Sequence, residues 1–406
     1  MNIQAQSPQR MSSLDLLRGI ALLGILLMNM QSFAMPGAVY LNPTAFGDLT
    51  GINWYLWSFY HIFADQKFMS LFSMLFGAGV LLFCQNVENK GRSPAGLHYR
   101  RTFWLLVFGL IHGYLFWYGD ILFSYAMCGF LIYLLRNKSI KTLLWISVVL
   151  LLISSLYSLF MGFSLPHFPD EALTGLREAW SPEEDKLQEE IAAYTGTFGQ
   201  ALHFRVEETF FMQTYVFLTY FIWRATAMML LGMALFKSGF FHLTWSKRAY
   251  QKLFFISMPL GLSLIIWGLL QNSQQAFSLE FSMFVGSQFN YWGSILVALG
   301  YAALVMLWAN SDRLQALQQR LKAIGKTAFS NYILHTLICT TIFYGYGMGV
   351  FAELERLSQL IIIFAIWMLQ LWLSPLWLRH YKFGPLEWCW RSLTYWRWQP
   401  MASQNK

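Results

Sequence analysis

The feature that most constrains this chain is a series of long apolar segments almost empty of charge. Ten of them fall at roughly residues 14–35, 66–87, 102–118, 120–135, 140–161, 209–236, 251–271, 285–309, 327–347 and 358–378. A helix needs about 20 such residues to cross a bilayer. Inside hydrocarbon every backbone N–H and C=O must find its partner within the segment, which for isolated runs leaves only the helix. The pattern predicts an all-α polytopic membrane protein, a bundle of about ten transmembrane helices making one domain over residues 1–406. Composition agrees, with 56% hydrophobic residues and 12% charged, where soluble domains carry about a quarter charged. A disordered or nucleic-acid-binding chain is excluded on the same ground. The four cysteines (Cys84, Cys128, Cys339, Cys389) are far apart and read as small hydrophobes rather than bridges or metal ligands.

Orientation follows from the basic residues. With both termini in the cytoplasm, 21 of the 28 Lys and Arg side chains fall inside, Arg10 and Lys406 among them, and four (Arg177, Lys186, Arg205, Arg356) fall outside. That asymmetry satisfies the positive-inside rule for an even number of crossings. Residues 164–208 read as an acidic extracytoplasmic insertion, whose EEDKLQEE run (183–190) predicts a solvated helix capping the outer mouth. Residues 379–406 read as a cytoplasmic interfacial tail. There Pro385, after Gly384, starts a short amphipathic helix with Glu387 one turn from Arg391 and with Trp388 and Trp390 at headgroup level. Segment 53–64 is apolar but short, and either lies at the interface or extends the second span. The first span is expected to be retained rather than cleaved as a signal peptide. Asp15 interrupts the basic leader, and Pro36 crowds the small-residue cleavage site near Ala34.

Charged groups at membrane depth cost a few kcal/mol each, so each is a candidate for function with a partner to find. On the first span Asp15, Arg18, Leu22, Ile25 and Asn29 fall in one helical stripe. The third span repeats the spacing, with Arg101 and His112 eleven residues apart, and Asp120 just beyond the Tyr118-Gly119-Asp120 turn. A His–Asp pair beside an embedded pocket suits general-base work on a hydroxyl or thiol. The two stripes are expected to face one cavity, widest between Asn29 and His112 and open near the two arginines. Arg224, near the middle of its span, calls for an anion, with Asp15, Asp65 and Asp120 the available carboxylates. Lys67 begins the second span and either snorkels or faces a pocket with Asp65 and His61. Among eight histidines there is no H-E-x-x-H, so no metal is expected; no P-loop, dinucleotide fingerprint or G-x-S-x-G occurs either.

The stretches SLDLLRGIALLGILLMN (13–29), KFMSLFSMLFGAGV (67–80), RRTFWLLVFGLIHGYLFWYGDIL (100–122), GKTAFSNYIL (325–334) and YKFGPLEWCWRSLTY (381–395) together carry a resemblance. Nearly end to end, the chain resembles the YeiB-like bacterial membrane proteins, domain-of-unknown-function family 418. Its LDxLRGIA opening is more remotely similar to that of membrane acyltransferases of the acyltransferase-3 and heparan glucosaminide acetyltransferase types. The former place a basic residue and, eleven positions on, a catalytic His in this helix. Here the pair is Arg18 and Asn29, and an amide cannot act as a base. The latter tend to carry Asn there, with an essential His elsewhere, and the residues themselves nominate His112.

The resemblance implies a bacterial cytoplasmic (inner) membrane location and transfer of an acyl group from cytoplasmic acyl-CoA, a co-substrate rather than a resident cofactor. The acceptor would be a small molecule, glycan or lipid. His112 would be the base and Asp120 its orienter, Asn29 would hold the thioester or its oxyanion, and Arg18 and Arg101 would bind donor phosphates. Arg224, Lys67, Asp15, Asp65, His61 and Glu387 complete the candidate pocket. The alternative is a transporter of a small anionic or amphipathic solute along a path lined by Arg224 and Asp120. Transporters often repeat, and residues 14–161 and 209–378 show no repeat.

Overall fold

A computed structural model describes residues 11–402; Arg10 and Lys406, counted above, lie outside the described residues. The helices are, in order, α1 (Ser12–Ala34), α2 (Ala38–Leu41), α3 (Gly51–Phe63), α4 (Lys67–Glu88), α5 (Ala95–Leu115) and α6 (Leu122–Ile132). Then follow α7 (Ile140–Ser164), α8 (Asp170–Trp180), α9 (Glu184–Thr195), α10 (Phe198–Phe211), α11 (Ile222–Lys237) and α12 (Lys247–Gln274). The last are α13 (Ser287–Ala309), α14 (Gln315–Lys326), α15 (Ala328–Phe343), α16 (Arg356–His380) and α17 (Pro385–Tyr395). Among the described residues there is no strand, only an isolated bridge between Tyr381 and Ala402.

Each of the ten apolar segments falls on a helix. Seven continuous helical stretches among the described residues are long and apolar enough to cross a membrane. The other three, α5, α6 and α15, are shorter or carry charge. Helix α5 begins at Ala95, behind Pro94, rather than near 102, so Arg100 and Arg101 lie within it. Segment 53–64 is α3, joined to α4 through a turn at Gln66 in the left-handed region (φ 61°). It therefore extends the second span. Residues Met212–Phe221 and Leu279–Gly286 are π-helical and run directly into α11 and α13.

Helix α1 is the axis of the bundle. Its most apolar window is 83% buried, against 22–28% for α7, α12 and α16, which form the periphery. Such close packing needs small residues at the crossings, since apolar side chains gain nothing from leaving lipid for one another. At the α4–α11 crossing, a Cβ on Gly77 would stand 2.0 Å from the Met229 carbonyl oxygen, and one on Gly232 would stand 1.9 Å from that of Met74. Gly325 serves the α1–α14 crossing in the same way, resting on the Asp15 carbonyl.

Two faces of the bundle are distinct. On the cap face, α8 and α9 fold over the end of α1: Asn42 donates to the Trp180 carbonyl (3.0 Å), and the Gly37 N–H donates to the Glu190 carboxylate (2.9 Å). On the opposite, tail face, α17 lies across the starts of α5 and α15. The Trp390 indole donates to the Arg101 carbonyl at 2.8 Å. Trp390 thus packs, partly buried, against the start of α5. Trp388 is held by the Gln399 carbonyl (2.7 Å), and the most exposed tail tryptophans are Trp396 and Trp398.

Candidate functional site

At the tail face a cavity of about 220 Å³ lies between α1, α4, α5, α15 and α17. Arg18, Arg101, Lys326 and Glu387 line it, along with a belt of Phe72, Phe76, Phe83 and Phe329, while Ile25, Ile121, Tyr125 and Tyr332 also border it. Arg18 pairs with Asp15 one turn earlier (2.9 Å) and donates to the Gly325 carbonyl (3.3 Å). The Arg101 guanidinium lies over the rings of Trp390 (4.2 Å) and Phe83 (4.9 Å). Among the described residues no acceptor or carboxylate bonds that guanidinium, which leaves its N–H groups available to an anion.

Glu387 is not paired with Arg391. Its carboxylate accepts from the Phe329 N–H (2.7 Å), the Ser330 N–H (3.2 Å) and the Ser330 hydroxyl (2.5 Å). It therefore caps the first turn of α15, where unsatisfied N–H groups and the helix dipole favour an anion. Burial pushes its carboxyl above the usual range, against the pull of the Ser330 bonds.

His112 lies deeper. Its Nδ1 is 2.7 Å from Asp120 Oδ1 and its Nε2 is 2.9 Å from the Thr336 hydroxyl; all three side chains are almost fully buried. Asp120 Oδ2 also accepts from the Phe123 N–H (2.7 Å), which starts α6 and locks the carboxylate in place. A carboxylate only accepts, so Nδ1 donates to Asp120, and in the neutral ring Nε2 then accepts from the Thr336 hydroxyl. The result is an Asp120–His112–Thr336 chain, the arrangement of an orienter, a base and a hydroxyl. It stands just past the cavity wall. Tyr332, one turn before Thr336 on α15, borders the cavity, and its ring centre is 5.2 Å from that of His112.

This cavity does not extend between Asn29 and His112. Neither residue lines it; the space lies nearer the tail face, along Arg18 and Ile25, and Asn29 is half-buried one turn further on. Beyond Ile25 the helix enters a packed cluster of Leu26, Met28, Met30, Phe33 and Trp117, against which Phe68 also rests. The Phe68 ring packs directly on Gly24, 2.3 Å from where a Cβ would be.

A second cavity, of about 140 Å³, lies at the cap face and takes in His61, Asp65 and Asn290. Lys67 does not snorkel. It is fully buried, donating to the His61 carbonyl (2.5 Å) and to Asn290 Oδ1 (2.6 Å), while Asn290 Nδ2 donates to Asp65 (2.6 Å). The amide bridges the opposite charges, and His61 Nδ1 stands 3.6 Å from Asp65.

Arg224 also departs from expectation. It is fully buried, yet among the described residues no carboxylate lies within ion-pair distance. Instead it donates to the Tyr291 carbonyl (3.0 Å), Ser70 (3.1 Å) and Ser294 (2.7 Å), and stacks over the Tyr291 ring at 4.5 Å. Carbonyl, hydroxyls and π-face together supply the negative potential that one carboxylate was expected to give.

Of the candidate residues, the structure brings Arg18, Arg101 and Glu387 to one cavity, joins His112 to Asp120 behind it, and gathers His61, Asp65 and Lys67 at the other face. Sequence reasoning missed Thr336, Tyr332, Lys326 and Asn290, although Lys326 and Tyr332 sit within the GKTAFSNYIL stretch already singled out. Among the described residues no three His, Cys, Asp or Glu side chains gather in a way that could hold a metal.

Long apolar helices packed around an almost wholly buried first helix, with charges held in internal networks, define a polytopic helical membrane protein. The chain belongs to the YeiB-like family. Residues 235–397 match the family "Protein of unknown function (DUF418)". The chain is 32% identical to the uncharacterised protein YeiB of Escherichia coli (strain K12), over 95% of this chain and 96% of the relative. It is 31% identical to the uncharacterised protein YxaH of Bacillus subtilis (strain 168), over 98% of this chain and 97% of that protein. A third relative, an uncharacterised 39.9 kDa protein of Bacillus acidopullulyticus, is 30% identical over 95% of this chain and 94% of its own length. No solved structure matches.

Proposed function

We propose that this protein moves an acyl group from a cytoplasmic thioester donor, acyl-CoA or a related carrier, to a hydroxyl-bearing acceptor. The observation that carries this reading is the buried Asp120–His112–Thr336 chain set immediately behind a cavity that combines Arg18, Arg101 and Lys326 with an aromatic belt. The basic groups suit donor phosphates, and the belt suits an acyl or pantetheine chain. Nε2 of His112 takes the proton of an acceptor hydroxyl in the place now held by the Thr336 oxygen. The acceptor's oxygen forms the new bond to the thioester carbonyl, the C–S bond breaks, and the thiolate leaves with the proton from the imidazolium. Asp120 holds the ring and stabilises its charged form. The same reading takes the bundle as ten crossings of the bacterial inner membrane, with the tail face cytoplasmic and the cap outside, as the 21-to-4 charge asymmetry favours.

The test is thiol release from acyl-CoA by purified protein supplied with a native membrane extract. Wild type should release thiol; His112→Ala should not, while still binding donor, because a base acts on the transition state. Arg18→Ala and Arg101→Ala should raise KM, most at low salt. Absence of release with every donor removes the reading.

A second reading, transport of a small solute, has one observation in its favour. The two cavities lie toward opposite faces and both meet α1, one at Ile25 and the other at Met28, a single turn apart. Solute flux into proteoliposomes, lost in Arg224→Ala and independent of any thioester, would favour it.

A further inference from the structure

The cap-face cavity is a site that the reaction above does not use. We propose that it binds an uncharged, hydroxyl-bearing ring with the size and polarity of one sugar or cyclitol unit. Four buried polar atoms on its lining residues have no hydrogen-bond partner among the described residues: Tyr60 Oη, Asp65 Oδ1, Asn272 Oδ1 and Ser282 Oγ. Tyr60, Asn272 and Ser282 are each at least nine-tenths buried. An unmet buried group costs about 1–3 kcal/mol, and these four gather around one small space, where an occupant would complete them. Two of the four can only accept and two are hydroxyls that both donate and accept. Hydroxyl groups, which also do both, complement that set.

Charge narrows the class. Asp65 is the one carboxylate lining the cavity, and Lys67 offsets it through Asn290 from a fully buried position. His61 adds a polar ring at 3.6 Å, and Arg224 lies buried nearby on neutral partners. The wall therefore offers neither a spare carboxylate for an ammonium group nor an exposed cation for an anion. Shape points the same way. Trp57 stacks on His61 (5.2 Å, 19°), Phe277 meets Trp57 edge-on (5.4 Å, 87°), and Trp180 of the cap closes the space with its N–H held by the Phe277 carbonyl. Flat apolar faces beside hydroxyl partners suit a ring that is apolar on its faces and polar at its rim. The volume of about 140 Å³ is close to the ~150 Å³ that admits a six-membered ring. Ser282, Met283 and Gly286 come from the π-helical turn, a distortion frequent at functional sites.

The inference does not rest on the proposed acyl transfer. Full-length protein in lipid nanodiscs, free of sugar-headed detergent, would be probed by saturation-transfer NMR and tryptophan fluorescence. The probes are glucose, galactose, N-acetylglucosamine and myo-inositol, with choline and lactate as charged controls. At least one neutral probe should bind saturably, and neither control should. Tyr60→Phe and Ser282→Ala remove only hydroxyls without an internal partner, so each should keep its thermal midpoint while affinity falls at least fivefold. Asp65→Asn should lower affinity further. Saturable binding by no neutral probe, which leaves water as the occupant, overturns the proposal. So does affinity unchanged in both hydroxyl variants, or a preference for choline or lactate. Thiol release is measured separately, and its loss would leave this result standing.

Discussion

Glu387→Ala tests whether the tail is a structural part of the bundle or only an anchor. The wild-type carboxylate accepts three hydrogen bonds at the start of α15, from two backbone N–H groups and from Ser330. Loss of a side-chain cap costs about 0.5–2 kcal/mol, and a buried group left unpaired costs about 1–3 kcal/mol. Water entering the cavity recovers part of this, so about 3 kcal/mol is expected for alanine. Glutamine keeps one oxygen, able to serve both N–H groups, and loses the charge facing the helix dipole, for about 1 kcal/mol. At roughly 2 °C per kcal/mol, the figure for large domains, the midpoints should fall by about 6 °C and about 2 °C. Differential scanning fluorimetry in one detergent reads both, and limited proteolysis of the tail reports whether α17 has lifted. Equal losses in the two variants, or no loss in either, would refute the capping argument.

Gly232→Ala should destabilise by more than about 3 kcal/mol, read as loss of monodisperse protein, because its Cβ would collide with the Met74 carbonyl at 1.9 Å. Gly175→Ala, inside α8 with nothing within 4 Å, should instead stabilise by about 0.5–1 kcal/mol in a thermal melt. Burial, aided by the nearby Glu208, holds the Glu190 carboxyl up at about 7 from an ordinary 4.5. The folded cap thus binds this proton more tightly than the unfolded chain, so the contribution is full below about 4.5 and lost as pH rises through about 7. Limited proteolysis of the cap should accelerate over that interval, and Glu190→Gln should flatten the dependence. A reporter fused after Lys406 should behave as cytoplasmic and one inserted at Glu184 as external; the reverse would invert the assignment of the two faces.

The long helices were legible because lipid leaves an apolar run few alternatives: α1, α7, α12 and α16 all stand where hydropathy put them. The start of α5 was not legible. AGLHYRR reads as a polar loop, and its helical state is supported from 289 positions away, where Trp390 bonds the Arg101 carbonyl. Arg100 joins in, bonding the Thr394 carbonyl at 3.2 Å and lying over Trp396 at 4.6 Å. Tail and span stabilise one another, and no local window contains both.

The site divides along the same line. His112 and Asp120 are eight residues apart across a tight turn, so their meeting could be read from spacing; Thr336 lies 224 residues further along the chain and could not. Arg224 and Lys67 show a second limit. Cost at membrane depth correctly marked both as needing partners, but it fixes only the amount of compensating potential, not its source. A carbonyl, two hydroxyls and a ring face hold both terminal nitrogens of Arg224 without a carboxylate. An asparagine inserted between Lys67 and Asp65 bonds both with one planar group and leaves Asp65 Oδ1 open. Neutral partners have a consequence for function. A guanidinium locked to a carboxylate would have to break that pair to take up an anion, whereas one held by hydroxyls and a π-face retains its charge for a ligand. By that criterion Arg101, stacked on Phe83 and Trp390 and bonded to no acceptor among the described residues, is the cation best prepared to receive one.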